Sequence, residues 1–319
     1  NMISEVYAPI SNSSLGVLGL WINGGAMSQV YYNSIYMDGS ASGTNTGNYA
    51  LYVAGTVDAT IKNNIIINKF TPAGTGANIA IFKATGVIYN TASNNNNVYV
   101  PAGASNFIYY DGAATHQTFA NFQTAVSPAE TSSFTEDSPF LNVSSHPYNL
   151  DMSTTIATLC EGGAMPIAGI TTDIHGTTRN GTTPDVGADE FDGIGPVTVA
   201  PVLVAPSNGA LLVPLNPLMD WNAATNSSQY RIQISTDSTF CTTALDVDTV
   251  TATQLQLPNN FLAVNTKYYW RVAGKNAIGE GPYSTVWDFT TGVTNIEPTS
   301  LPTVYELYRN YPNPFNPST

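Results

Sequence analysis

Histidines are the first residues to test for chemistry. The 319-residue chain has three, His116, His146 and His175, spaced 30 and 29 residues apart. On a repeating structure that spacing would bring imidazoles together, and clustered imidazoles bind divalent metals. None lies in a His-x-x-x-His or His-Glu pairing, and none has an obvious carboxylate partner in sequence. The expectation is three scattered residues and no shared metal. Paired carboxylates are the second test, because glycoside hydrolysis needs two of them about 5 to 10 Å apart. Between residues 28 and 110 only Asp38 and Asp58 are available. A polysaccharide lyase would instead need a basic residue beside calcium ligands. Lys62, Lys69 and Lys83 lack such an acidic companion. The densest acid cluster is Asp185, Asp189, Glu190 and Asp192. It is the one place where calcium is conceivable as a cofactor, but exposed carboxylates normally stay hydrated, so the expectation is a solvated cap edge and no cofactor. Gly24-Gly25 and Gly162-Gly163 lack the lysine and helix of a phosphate loop, and no Gly-x-Ser-x-Gly nucleophile elbow occurs.

Composition narrows the class further. Only 10% of residues are charged, against roughly a quarter in ordinary soluble domains. The formal net charge is −13, from 22 acids and 9 bases. Of this, −10 falls before residue 194 (14 acids, 4 bases) and −3 after it (8 acids, 5 bases). An acidic chain without a basic stripe argues against nucleic acid as a partner. It argues equally against docking on an anionic bilayer, and no apolar run is long enough to insert in a membrane. Cys160 and Cys241 form no disulfide or zinc framework. Asn1 is not followed by a signal-peptide pattern, so the expectation is a processed or partial chain.

The elements that would position any site repeat. Leu20-Trp21-Ile22 recurs as Leu51-Tyr52-Val53, and Val30-Tyr31-Tyr32-Asn33-Ser34-Ile35 as Ile61-Lys62-Asn63-Asn64-Ile65-Ile66, both at an offset of 31. A looser third copy runs through Ile79-Ala80-Ile81-Phe82 and Asn97-Val98-Tyr99-Val100. No stretch sustains a helical period. Short strands at a fixed period cannot bury a face alone, so they stack as a solenoid. These repeats resemble coils of a right-handed parallel β-helix of the pectate-lyase-like superfamily. The recurring turn residues Asn33, Asn64 and Asn97 resemble that fold's asparagine ladder, in which each amide hydrogen-bonds the coils above and below. Asn is also common in turns for its tolerance of left-handed backbone.

Further resemblances follow along the chain. Thr172-Asp173-Ile174-His175-Gly176 and Asp185-Val186-Gly187-Ala188-Asp189-Glu190-Phe191 are similar to the closing phrases of secreted bacterial β-helix proteins. This implies that residues 1–193 are the C-terminal coils and cap of a parallel β-helix. Residues 194–293 resemble a fibronectin type III domain. Trp221 stands where the core tryptophan would, Tyr230-Arg231-Ile232-Gln233-Ile234-Ser235 alternates as a half-buried strand, and Leu262 with Tyr268 fits a tyrosine corner. Tyr268, Trp270 and Val272 should share the buried face. Residues 294–319 read as a linker followed by Asn310-Tyr311-Pro312-Asn313-Pro314-Phe315-Asn316-Pro317. This string resembles the start of a type IX (Por) secretion sorting domain of the Bacteroidetes, cut short at Thr319; a Pro-rich extended linker is the plainer alternative.

Eleven of the 18 tyrosines precede residue 194. The consecutive pairs Tyr31-Tyr32 and Tyr109-Tyr110 must each place one ring on an outer face, where it could stack on a sugar or meet a protein, although Tyr also serves simply to shield strands. The sequence therefore predicts an all-β chain: parallel β-helix, fibronectin type III sandwich and extended C-terminal tail. The expected function is that of a secreted cell-surface structural or adhesion protein. Polysaccharide or a surface protein would be the partner, along with the type IX secretion machinery implied by the resemblance. The alternatives are a β-helix lyase or hydrolase with its active coils upstream, and a self-assembling surface or filament subunit.

Overall fold

A computed structural model describes residues 1–7, 11, 13, 15–41 and 43–292. These fall into two compact units, one built mainly from Asn1–Ala200 and the other from Pro201–Ala223, Gln229–Ala273 and the segment from Tyr283. Both are β structures. No helix among the described residues is long and apolar enough to cross a membrane.

The first unit is a β-solenoid of about three coils, in which each coil contributes one strand to each of three parallel sheets. The first sheet runs Met2–Ile3, Ser34–Met37, Ile65–Asn68, Asn97–Tyr99. The second runs Val17–Asn23, Asn48–Ala54, Asn78–Lys83, Asn106–Tyr110, and is closed by the antiparallel strand Thr115–His116. The third runs Met27–Tyr31, Asp58–Lys62, Ile88–Tyr89. The 31-residue offset is the register itself. Trp21 pairs with Tyr52, Val30 with Ile61, and Ser34 with Ile65. Strand alternation then stacks like on like. Ile3, Ile35, Ile66 and Val98 form one inward column, and Leu20, Leu51 and Ile81 face the same core.

At one corner a column of asparagines carries the stack through buried polar ground. Asn33 Nδ2 donates to Asn64 Oδ1 at 2.8 Å, and Asn64 Nδ2 to Asn96 Oδ1 at 3.0 Å. Asn96 Nδ2 then donates to both oxygens of Glu130 at 3.0 Å. The same side-chain oxygens accept the backbone N–H of Asn33 and of Asn64. The third rung is thus Asn96, where Asn97 was expected. The third coil is one residue longer, pairing Ile65 with Asn97 at an offset of 32. Asn97 accordingly lies in the strand, and its amide donates to Glu136 O and Ser138 Oγ. Each rung follows a residue in the left-handed region: Tyr32 (φ 52°), Asn63 (φ 58°) and Asn95 (φ 57°).

Glu130 ends the column. It is fully buried, and burial pushes its carboxyl above the usual range while Ser133, Tyr89 and Asn96 donate to it. Nearby is a helix that periodicity did not predict, Phe119–Val126, with Thr118 as its N-cap. Eight residues are too few for a sustained period to register. Its Phe122 and Val126 join the interior beside Ile108 and Tyr109 of the last coil.

The segment after the coils packs along the solenoid. It covers the outer face of the first sheet. Tyr36, Ile65 and Ile67 on that face pack against Phe140, Leu150, Met152, Cys160 and Val186. The left-handed residues of successive coils are its attachment line: Tyr32 Oη and Asn63 Nδ2 donate to Met165 O, and Asn95 Nδ2 donates to Gly163 O. Gly187, at φ 104°, donates to Asn63 O, and a Cβ there would stand 2.7 Å from Ile65 Cδ1.

The second unit is a two-sheet sandwich of fibronectin type III arrangement. Strands Leu203–Ala205, Leu218–Trp221 and Gln254–Gln256 form one sheet. The other runs Ala210–Val213, Trp287–Thr291, Lys267–Lys275, Gln229–Ser235, Leu245–Val250. Trp221, Tyr230, Trp270, Val272 and Phe289 fill the core. Tyr268 Oη accepts the Ala263 N–H at 3.0 Å, which is a tyrosine corner.

Substituting Asn64 by Ala removes the acceptor of two Asn33 groups and the Nδ2 contacts to Val30 O, Lys62 O and Asn96 Oδ1 in a buried site. We expect a loss of about 3 kcal/mol or more, at 1–3 kcal/mol per stranded group. Urea unfolding of the chain measures it; a change under about 1 kcal/mol, the size of an exposed substitution, would contradict the role of the column.

Candidate ligand-binding face

The two large outer faces of the solenoid have opposite fates. The face of the first sheet is covered by the segment just described. On the second sheet, a row of aromatic side chains occupies one register position through four strands: Trp21, Tyr52, Phe82 and Tyr110. Trp21 is 54% exposed, and the other three are half-buried. Neighbouring strands lie about 4.8 Å apart, so rings at one position meet at stacking distance. Tyr52 and Phe82 stack at 4.3 Å and 3°, and Phe82 and Tyr110 at 4.8 Å and 18°. Tyr49 stands edge-on to Tyr52 and Phe82.

Orientation decides what this row offers. Stacked rings occupy each other's faces and present edges to solvent, with hydroxyls on Tyr52 and Tyr110. Trp21 is turned 88° to Tyr52, with ring centroids 6.2 Å apart. It is therefore turned out of the stack, and at 54% exposure it is the most exposed ring of the row. The arrangement is a ridge with hydrogen-bonding edges and a flat terminus.

Of the tyrosines singled out in the sequence, only Tyr110 belongs to this row. Tyr109, 1% exposed, points inward to the core and lines a cavity of about 440 Å³ with Lys83 and Asp111. Tyr32, 4% exposed, lies beneath Arg179, whose guanidinium carbon is 4.0 Å from the ring centroid. Tyr31 is half-buried and packs beside Tyr32 in the covered cluster. Trp21, Tyr52 and Phe82 had a signal in the repeat alignment itself, since they are the aromatic position of Leu20-Trp21-Ile22 and its copies. Asn310 to Pro317 lie outside the described residues.

The acids expected on the coils have local partners. Asp58 accepts from Asn90 Nδ2, and Asp38 from Tyr148 Oη at 2.6 Å. The three histidines do not meet. Each pairs with a carboxylate that sequence spacing does not reveal: His116 with Asp111, His146 with Glu5 and His175 with Asp151.

The expected hydrated acid edge is instead largely internal. Arg179 bonds Glu190, Gly187 O and Ala188 O, so the 185–190 phrase wraps a guanidinium already stacked on Tyr32. Asp185 and Asp189 are buried, while Asp192 alone is exposed. Burial raises the Asp185 carboxyl to about 7 against the pull of the Gly162 and Phe191 amides. Burial likewise raises Asp189 and Glu161.

No protein-family model and no curated protein matches the chain. Similar solved structures include an α-L-rhamnosidase from Dictyoglumus thermophilum (19% identity, TM-score 0.27, 32% of this chain, 13% of that chain). An Fn3-like protein from Clostridium thermocellum matches at 22% identity and TM-score 0.25, over 31% of this chain and 98% of that one. A β-1,2-glucanase from Parabacteroides distasonis matches at 21% identity and TM-score 0.25, over 34% of this chain and 15% of that one. The chain thus spans a small part of both enzymes, and scores at this level carry no argument about activity.

The raised carboxyls set the sign of a pH effect. Unfolded, these groups lose their protons near 4; folded, Asp185 holds its proton until about 7. Between those values the folded chain binds more protons, so stability falls as pH rises. His175, raised mainly by its hydrogen bond to Asp151, adds stability that is present below 6.5 and lost as pH rises through its folded value. We expect a higher melting temperature at pH 5 than at pH 8, and a smaller difference for Asp185→Asn. A melting temperature that increases across this range would contradict the assignment.

Proposed function

We propose that this chain is part of a secreted, cell-surface structural or adhesion protein whose solenoid holds a polysaccharide along the Trp21–Tyr52–Phe82–Tyr110 row. The observation that carries this reading is the row itself: four aromatic residues in register on the uncovered face, with Trp21 turned out of the stack. Stability does not require an exposed indole. A large apolar ring left in water at a repeated position is what a binding surface retains. Tyrosine hydroxyls beside a ring face suit a ligand with both apolar and hydroxyl surfaces, as a sugar has. The low charge of the chain favours a neutral glycan over an ionic one. In this reading the fibronectin-like unit is a spacer, and the motif Asn310 to Pro317 directs export by type IX secretion.

The test is binding of the chain to a panel of neutral polysaccharides, by pull-down and titration calorimetry. Trp21→Ala should weaken binding by about 10- to 30-fold, the effect of truncating an aromatic anchor worth about 1.4 to 2 kcal/mol. Trp21→Phe should retain most of it, and Tyr31→Phe all of it. Binding unaffected by Trp21→Ala would remove the row from the reading, and no binding to any glycan would remove the polysaccharide.

A further inference from the structure

Three hydrogen-bonded His–carboxylate pairs occur in the first unit, and one of them differs from the others. His116 with Asp111, and His146 with Glu5, are simple pairs. His175 has two carboxylates: its Nε2 is 2.8 Å from Asp151 Oδ1 and 3.9 Å from Asp189 Oδ1. One ligand atom from each of Asp151, His175 and Asp189 lies within 4.8 Å of the other two, and this is the only such trio among the described residues.

The three come from separate stretches of chain, and local hydrogen bonds hold each in place. Asp151 lies on the strand Asn149–Met152. Asp189 is tied to that strand through Oδ2, which accepts the Met152 N–H at 3.0 Å. His175 sits on a turn closed by Asp173, whose Oδ1 accepts the His175 and Thr177 N–H groups. The other oxygen of Asp173 accepts the Glu190 N–H, linking this turn to the stretch that bears Asp189. Asp173 is thereby fully used in positioning, while the facing atoms of the trio are turned toward one another. Asp189 is decisive. Its side chain is nine-tenths buried, and its Oδ1 accepts no hydrogen bond among the described residues, facing only the imidazole. Two carboxylates that crowd one imidazole repel each other, and a divalent cation between them relieves that repulsion.

From this geometry we infer that Asp151, His175 and Asp189 bind a divalent transition-metal ion of the zinc class. Ligand atoms about 2.1 Å from such an ion stand roughly 3.0 to 3.4 Å apart at octahedral or tetrahedral angles. The 2.8 Å separation already fits, and the 3.9 Å one closes by under an ångström. Imidazole with two carboxylates is a donor set for zinc or its neighbours; calcium takes six to eight oxygens and has little use for a ring nitrogen. Three protein ligands leave the remaining positions to water. The bound ion would replace the direct Asp151–His175 hydrogen bond with two metal bonds, stapling three stretches of the covering segment together. This site is on the covered side and is independent of the aromatic row.

The experiment is calorimetric titration of the whole chain with zinc chloride in chelator-free buffer, followed by thermal melting. One equivalent should bind and raise the melting temperature, and calcium chloride should do neither. His175→Gln and Asp189→Asn should each weaken zinc binding at least tenfold, with His116→Gln unchanged as the control for an ordinary His–carboxylate pair. Circular dichroism confirms that each variant is folded. Absence of zinc binding overturns the site, and so does binding that survives His175→Gln or is lost in His116→Gln.

Discussion

The solenoid depends on continuing a polar column through its interior. Parallel coils bring the same turn together at every level, and its amide groups cannot reach water. Asn33, Asn64 and Asn96 meet this constraint because a carboxamide both accepts and donates, so each rung serves the one below and is served by the one above. All three point the same way, which aligns their dipoles and ends them on Glu130, a group rich in acceptor sites. The buried Glu130 is therefore the terminus of the column and marks where the repeating coils give way to the helix Phe119–Val126.

The same corner organises what lies outside it. Residues in the left-handed conformation immediately precede the rungs, and their side chains turn outward to hold the covering segment through Met165 O and Gly163 O. Arg179 strengthens this attachment by stacking on Tyr32 and gathering Glu190 and two backbone carbonyls. One face of the solenoid is consumed in this way. Among the described residues the second sheet has no comparable cover over its aromatic row, and its rings stack on one another instead. The two faces thus differ: polar attachment and buried acids on one side, a ridge of stacked rings on the other.

The fibronectin-like unit solves its core by the ordinary means of two sheets with alternating side chains. Tyr268, Trp270 and Val272 are buried while Tyr269 and Arg271 are not, as period-two alternation requires. Arg271 is used on the outer surface, between the rings of Phe240 and Tyr283 and beside Gln233. The tyrosine corner fixes the start of its strand through a single backbone bond to Ala263.

Sequence by itself determined the all-β class, the stacking of coils and their 31-residue register, because repeat spacing and strand alternation are local properties. It also identified Asn33 and Asn64 as candidate rungs and the core of the sandwich. Tertiary structure decided the rest. The third coil is offset by 32 residues, which sets Asn96 and not Asn97 level with Asn64, a register that an alignment of drifting repeats does not fix. The fate of each aromatic ring depended on which side of its strand it took and what later covered that side, so Tyr32 turned outward and was covered, Tyr109 faced the core, and Trp21 stayed in water. Acids that looked like a hydrated edge became internal because Arg179 and backbone amides from distant segments converge on them. Burial and partnership are set by chain segments far apart in sequence, and only the folded coil brings them to one place.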